Sequence, residues 1–112
     1  MKRKEIEVHE SGTNVFADLG LPDSGTHFLK AQIVAELYRL TRDRKLTQTE
    51  AGTTMGISQP EVSRLFKGKF REYSVDRLMM LLTAFEQDIE IVARPRRQGN
   101  GRGQITFKPV AV

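Results

Sequence analysis

The stretch that decides the fold is residues 47–65, which read TQTEAGTTMGISQPEVSRL. One short pattern occurs in it twice: Glu50 follows Thr47 by three residues, and Glu61 follows Ser58 by three. In such a capping box the hydroxyl accepts a hydrogen bond from the third helical N–H, while the glutamate accepts one from the N–H of the hydroxyl residue. Two short helices are therefore predicted to begin at these two points.

Glycines and a proline mark the bounds of these two helices. Gly56 is predicted to end the first and Gly68 the second, because glycine readily takes the left-handed conformation of a C-cap. Pro60 suits the first turn of the second helix, where an N–H has no intrahelical acceptor. Ala51 and Gly52 permit close helix contact, although a mid-helix glycine costs about 1 kcal/mol relative to alanine. Together these features predict a helix-turn-helix rather than a generic helical hairpin.

Helices are also predicted on both sides of this motif. Apolar residues recur at spacings of four, four and three ahead of it, which predicts a helix over residues 26–43. A second apolar stripe follows a serine cap at Ser74 and predicts a helix that closes a small, mainly α bundle. The two stripes comprise Leu29, Ile33, Leu37 and Leu40, then Val75, Leu78, Met79, Leu82 and Phe85.

The sequence changes character after Asp88. Residues 89–94 read IEIVAR, and their β-branched side chains, stopped by Pro95, predict one strand. Residues 96–112 are basic and glycine-rich, so we expect a mobile tail there. With residues 1–22 as an N-terminal extension, the helix-turn-helix domain is expected to span residues 23–95.

Composition argues against several classes of protein. The 112 residues have room for one small domain, and the absence of cysteine leaves His9 and His27 as the only soft metal ligands. These histidines lie on unlike segments, and no spacing forms a catalytic triad or a metal motif. We therefore expect no enzyme activity, no metal and no cofactor. The longest apolar runs are too short for a membrane helix or a signal peptide, which predicts a soluble protein that stays where it is made.

Charge is distributed unevenly along the chain. The formal net charge is only +4, but residues 39–71 carry eight bases and three acids, and residues 91–112 carry five bases and no acid. Residues 72–90 carry one base and five acids. This zoning is compatible with a polyanion bound to the middle and tail, and with a basic partner for the acidic parts. An unevenly charged, solvated surface explains it equally well.

The second motif helix would enter the major groove of DNA by its N-terminal residues. Gln59 can bind adenine N6 and N7, and Arg64 can reach guanine O6 and N7, at about 1–3 kcal/mol for each good bidentate pair. Glu61 can accept from cytosine N4, but its capping box is a competing role. The predicted base contacts are Gln59, Pro60, Glu61, Ser63 and Arg64.

Phosphate contacts are predicted around these base-reading residues. The N–H groups that open the first motif helix favour an anion, and a cluster of bases follows the second motif helix. Such contacts position the protein on DNA without specifying sequence. The predicted phosphate contacts are Gln48, Thr49, Ser58, Lys67, Lys69 and Arg71.

The motif and its flanks resemble a known family. TQTEAG at 47–52, MGISQPEVSRL at 55–65 and KG at 67–68 resemble the Xre, or Cro/phage-repressor-like, helix-turn-helix. NVFADLGLPD at 14–23 and DIEIVARP at 88–95 resemble the flanks of HigA-type antitoxins. The resemblance implies a five-helix-type bundle like that of λ repressor. It also implies a cytoplasmic bacterial antitoxin that neutralises a RelE/HigB-like, mRNA-cleaving toxin and represses its own operon as a homodimer.

The resemblance further implies dimerisation through the C-terminal strand, because known members pair that strand across the dimer. A lone edge strand on a helical domain exposes unpaired backbone and favours such a partner. Two DNA-binding helices would then meet half-sites about 34 Å apart. The residues expected at this contact are Ile89, Ile91, Val92 and Ala93.

Several alternatives stay open at this point. A free-standing repressor without a toxin would share all of the DNA chemistry. The toxin contact can lie in the acidic residues 5–23 or in residues 72–90, although Phe16, Leu19 and Leu21 fit packing on the chain's own bundle better. RNA binding through the Arg-Gly tail is disfavoured, because no aromatic residue lies near 96–102.

Overall fold

The computed structural model describes residues 23–97 and 101–110, and over these ranges the chain forms four α-helices. They are α1 (Asp23–Asp43), α2 (Gln48–Met55), α3 (Gln59–Phe66) and α4 (Val75–Ala84). The prediction of a mainly α fold is confirmed, and α1 begins three residues earlier than expected. The predicted N-terminal extension, with one of the two candidate toxin contacts and the apolar residues Phe16, Leu19 and Leu21, lies outside the described residues.

All three predicted N-caps form. The Thr47 hydroxyl accepts from the Glu50 N–H at 3.1 Å, and the Glu50 carboxylate accepts from the Thr47 N–H at 2.8 Å. Ser58 and Glu61 make the same reciprocal pair at 3.3 and 3.1 Å, and Ser74 caps α4. These caps satisfy N–H groups that have no acceptor within the helix, so the sequence fixes where α2 and α3 begin.

One hydrophobic core holds the four helices together, with α1 packed on α4 and α2 packed on α3. Every residue of the two predicted apolar stripes is buried except Met79, which is partly buried against the core. Val62 and Leu65 anchor α3 in this core with no exposed surface. At about 1.5–3 kcal/mol for each fully buried aliphatic side chain, these contacts fix which face of α3 is turned inward.

The turn between α2 and α3 depends on two glycines. Gly56 has a φ of 77°, and its N–H and that of Ile57 both donate to the Gly52 carbonyl, at 2.7 and 2.9 Å. A β-carbon at position 52 would lie 2.6 Å from the Ile57 carbonyl oxygen. The close contact predicted for Gly52 is thus with the backbone of the turn as well as with α3, since Val62 lies 3.4 Å from the same β-carbon position. The structure supplies the reason for a glycine there, since the turn passes too close for any side chain.

Beyond α4 the chain has no regular secondary structure over residues 87–97 or 101–110. The strand predicted at 89–94 is therefore not formed among the described residues, where it has no paired neighbour. The strand and the fifth helix remain predictions. Ile89 and Phe107 nevertheless pack partly buried against the core, so the C-terminal region contacts the bundle at two points.

None of the helices in the described part of the chain is both long enough and apolar enough to cross a membrane.

Candidate nucleic-acid interface

The polar face of α3 is turned to solvent. Val62 and Leu65 are fully buried, whereas Gln59, Pro60 and Arg64 are exposed. The polar face comprises the positions expected to read bases, and it lies opposite the buried anchors because a helix repeats every 3.6 residues. Its two remaining members, Glu61 and Ser63, are half-buried at its margin.

A hydrogen bond joins the first residues of the two motif helices. The Gln59 Nε2 donates to the Gln48 Oε1 at 2.7 Å, on the exposed side of the pair. This bond fixes the orientation of the Gln59 amide, so that its Oε1 and one N–H stay available. Adenine requires one acceptor and one donor in that arrangement. Gln48 keeps its own Nε2 to donate, which suits the phosphate contact predicted for it.

Glu61 is engaged at both carboxylate oxygens. Its Oε1 accepts from the Ser58 N–H at 3.1 Å, and its Oε2 accepts from the Tyr73 hydroxyl at 2.9 Å. The Ser58 bond, followed by the Tyr73 bond, holds the pKa of Glu61 below its usual range. Burial, followed by the same contact with Glu61, raises the pKa of Tyr73. The two groups therefore stay in their carboxylate and phenol forms across the neutral pH range.

The chain reverses sharply after α3. Gly68 has a φ of 89°, its N–H donates to the Leu65 carbonyl at 3.0 Å, and the Lys69 N–H donates to the Arg64 carbonyl at 2.9 Å. Phe70 then returns to the core with 5% of its surface exposed. The lysines on either side of Gly68 are left exposed, as is Arg71. The predicted phosphate-binding bases therefore lie on an ordered turn.

Lys69 and Arg71, with Arg64 and Arg77, line an open groove of about 530 Å³ beside α3. Two glutamates also line it, but Glu61 already accepts from Ser58 and Tyr73. No carboxylate oxygen in the described part of the chain lies within 4.0 Å of the basic groups in the groove. The groove therefore carries an excess of positive charge. Its lining residues are Glu61, Arg64, Gly68, Lys69, Arg71, Glu72, Tyr73 and Arg77.

The other predicted phosphate contacts lie at the starts of the two motif helices. Thr49 is exposed in the first turn of α2. The Ser58 hydroxyl serves as the α3 cap at 3.3 Å, so Ser58 has a local structural role besides the predicted one. The structure thus brings Gln48 and Gln59 into contact across the motif and places the basic groups on the turn after α3.

Two residues of this surface were missed by the sequence analysis. Tyr73 lies twelve residues from its partner Glu61, and the Arg77 guanidinium lies 4.7 Å from the centre of the Tyr73 ring. The turn between α3 and α4 creates the contact of Tyr73 with Glu61, whereas Arg77 lies four residues after Tyr73 at the start of α4, a local spacing that could have been noticed.

The four residues predicted for dimerisation divide into two groups. Ile89 is partly buried against the chain's own core, whereas Ile91, Val92 and Ala93 are exposed. Ile91 and Val92 expose 74% and 67% of their surface, which is unusual for β-branched side chains. These three side chains are therefore accessible to a second chain.

Comparisons with known proteins place this geometry in context. A family model described as a helix-turn-helix domain matches residues 15–94. A solved structure of an XRE family transcriptional regulator superposes with a TM-score of 0.75 at 34% sequence identity, covering 80% of this chain and 100% of that chain. The curated proteins contain no match. The matched range includes the four helices and extends beyond them on both sides.

Proposed function

The chain belongs to the XRE family of helix-turn-helix proteins, and on that premise we propose that it reads a specific DNA sequence with α3 and represses transcription. The observation that carries the proposal is the orientation of α3, which buries Val62 and Leu65 and exposes Gln59, Pro60 and Arg64. A hydrophobic anchor and a polar outer face on one short helix are what docking in a major groove requires.

In this proposal Gln59 and Arg64 read bases. The bond to Gln48 leaves one donor and one acceptor on the Gln59 amide, which is the pair of groups that a bidentate contact with adenine uses. Arg64 is exposed and has no carboxylate within 4.0 Å among the described residues, so its guanidinium is available to guanine. Pro60 would contact a thymine methyl, and Ser63 would make a lesser contact at the margin.

The basic groups beside α3 would bind the phosphate backbone. Lys67, Lys69 and Arg71 are exposed on the turn after α3, and Gln48 and Thr49 open α2, where helical N–H groups favour an anion. These contacts set the register of the protein on its site and contribute most of the salt dependence.

Selection of bound duplexes from a randomised pool tests the base contacts. Gln59→Ala and Arg64→Ala should each relax the preference at particular base pairs, by about 1–3 kcal/mol for a bidentate contact. Arg42→Ala is the matched control, since it removes the same charge from an exposed side chain on α1. Equal loss of affinity for every sequence would contradict base reading by either residue.

We further propose that the repressor is the antitoxin of a toxin–antitoxin pair and acts as a homodimer. Its support is the resemblance of residues 14–23 and 88–95 to HigA-type antitoxins, together with the exposed Ile91, Val92 and Ala93. In this proposal the toxin is a small RelE/HigB-like protein that cleaves mRNA. The acidic residues 72–90 and 5–23 are the candidate contacts for it, because a ribosome-acting toxin tends to be basic.

The antitoxin proposal has a direct biochemical test. The protein encoded beside this chain should co-purify with it, cleave mRNA when isolated, and lose that activity when this chain is added back. A chain that purifies alone and still represses its operator would instead be a free-standing XRE regulator. That second function is favoured by the similarity to a structure described as a transcriptional regulator.

A further inference from the structure

The two capping boxes of the motif differ in two contacts, because Glu61 also accepts from the Ser58 hydroxyl, at 3.3 Å, and from a residue outside its box. In the α2 box, Glu50 Oε1 accepts from the Thr47 N–H at 2.8 Å, and no side chain among the described residues donates to the Glu50 carboxylate. In the α3 box, Glu61 receives the equivalent bond from Ser58 and a further bond from the Tyr73 hydroxyl at 2.9 Å. The extra contacts therefore occur on the helix that faces DNA in the proposed function.

Tyr73 is held in place independently of Glu61. Its N–H donates to the Phe70 carbonyl at 3.0 Å, and Lys30 on α1 donates to the Arg71 carbonyl two residues earlier, also at 3.0 Å. Its ring is partly buried and lies under the Arg77 guanidinium at 4.7 Å. The hydroxyl is thus presented to α3 from a turn tied to α1, by contacts that do not involve the carboxylate.

A carboxylate at this position of α3 has two competing uses. It can close the helix cap, or it can extend toward DNA and accept from cytosine N4. Extension moves the carboxylate away from the cap, so it would break the bonds that Glu61 accepts from the Ser58 N–H and from the Tyr73 hydroxyl. A hydrogen bond to an ionised carboxylate is stronger than one between neutral groups. The Tyr73 hydroxyl therefore stabilises the capped conformation of Glu61 relative to the extended one.

We propose that Tyr73 is a positioning residue for sequence recognition, which retains Glu61 in the α3 cap and so prevents it from selecting cytosine. The inference rests on the proposed DNA-binding function and refines the assignment of its base-reading residues. Gln59 and Arg64 then read the site, while Glu61 and Tyr73 maintain the start of the helix that presents them. The specificity of α3 is limited by a residue that itself need not contact DNA.

Selection from a randomised duplex pool, carried out with the full chain, tests the inference. Tyr73→Phe removes the hydroxyl and keeps the ring that lies under Arg77. Relative affinity for sites with cytosine at one base position should rise about tenfold, since a released carboxylate gains one base contact. Tyr38→Phe is the matched control, because Tyr38 lies half-exposed on α1 and packs edge-on against Phe66 with its ring. That control should select the wild-type sequence.

Glu61→Ala separates positioning from a merely structural role. If Tyr73 acts through Glu61, adding Tyr73→Phe to the Glu61→Ala chain should produce no further change in base preference. Glu61→Ala alone should lower stability but leave the preferred sequence unchanged. Thermal unfolding of each variant establishes the folded fraction, so that loss of fold is not read as loss of recognition.

Three results would overturn the inference. The first is that a folded Tyr73→Phe protein selects the same bases as the wild type. The second is that the change in base preference caused by Tyr73→Phe also occurs in the Glu61→Ala protein. The third is that Glu61→Ala alone abolishes the preference at one base position. The last result would make Glu61 a base reader in the wild-type protein. If the wild-type chain itself prefers no sequence, the proposed function fails and this inference fails with it. If the wild-type chain prefers a sequence but the Tyr73 and Glu61 variants give one of the three results above, the inference fails and the proposed function stands.

Discussion

Replacing Gly52 with alanine separates helix propensity from tertiary packing. Alanine is the better helix former by about 1 kcal/mol, so propensity alone predicts that Gly52→Ala stabilises α2. The structure predicts the opposite sign, because the new β-carbon would lie 2.6 Å from the Ile57 carbonyl oxygen. That oxygen belongs to the backbone of the turn and cannot move aside as a flexible side chain would.

The size of the effect follows from these two opposing contributions. Overpacking a closely packed site costs about 1–3 kcal/mol, and subtracting the gain in propensity leaves a net loss of about 1 kcal/mol in the free energy of unfolding. For a domain of this size, such a loss lowers Tm by about 4–8 °C. The neighbouring change Thr53→Ala is the matched control, since Thr53 is exposed on the same helix. Without a clash, Thr53→Ala should stabilise the protein by about 0.5 kcal/mol.

Urea unfolding of the two variants and the wild type, followed by circular dichroism, provides the measurement. The expected order of stability is Thr53→Ala, then wild type, then Gly52→Ala. Gly52→Ala should also weaken DNA binding more than its stability loss explains, because Ile57 directly precedes the α3 cap Ser58. A Gly52→Ala protein as stable as Thr53→Ala would refute the argument that the turn excludes a side chain.

Three other outcomes are expected. Glu61→Gln should destabilise the protein near neutral pH, but progressively less below about pH 4. The reason is that the pKa of Glu61 is lower in the folded state than in the unfolded state. Its ionised carboxylate therefore stabilises the folded state above the unfolded pKa, and that effect is lost as the pH falls through the folded pKa. Urea titrations at several pH values measure this, and a pH-independent difference would count against it. Lys67→Ala and Lys69→Ala should weaken binding to all duplexes alike and each reduce the slope of log affinity against log salt by about 0.9. An unchanged slope would remove that lysine from the phosphate contacts. Ile91→Pro should leave a folded monomer by light scattering, because Ile91 is exposed and proline cannot donate to a strand ladder. A persisting dimer would exclude strand pairing through this segment.

Local signals account for the features that the sequence predicts well. A capping box is complete within four residues, so Thr47 with Glu50 and Ser58 with Glu61 specify two helix starts wherever they occur. The spacing of apolar residues likewise predicts the buried faces of α1 and α4. These signals are sufficient to orient α3, and with it the polar face expected to meet DNA.

Contacts between distant parts of the chain account for what the sequence did not reveal. The bond from Tyr73 to Glu61 and the one from Gln59 to Gln48 form only after the turns have brought these side chains together. At Gly52 the sequence indicates a close contact, but it does not show that the excluding atom is the Ile57 carbonyl oxygen of the following turn. The strand predicted at 89–94 needs hydrogen-bond partners that the described part of a single chain does not contain.

The contact of Phe107 with the core has a consequence for proteolysis. Between Ile89 and Phe107, both partly buried on the bundle, the sequence contains Arg94, Arg96, Arg97 and Arg102. Burial of one phenylalanine contributes at most about 3 kcal/mol, which corresponds to a dissociation constant weaker than 1 mM once the covalent connection is cut. A trypsin-like protease that cleaves after Arg96, Arg97 or Arg102 would therefore release the C-terminal peptide and expose the patch of core that Phe107 had covered.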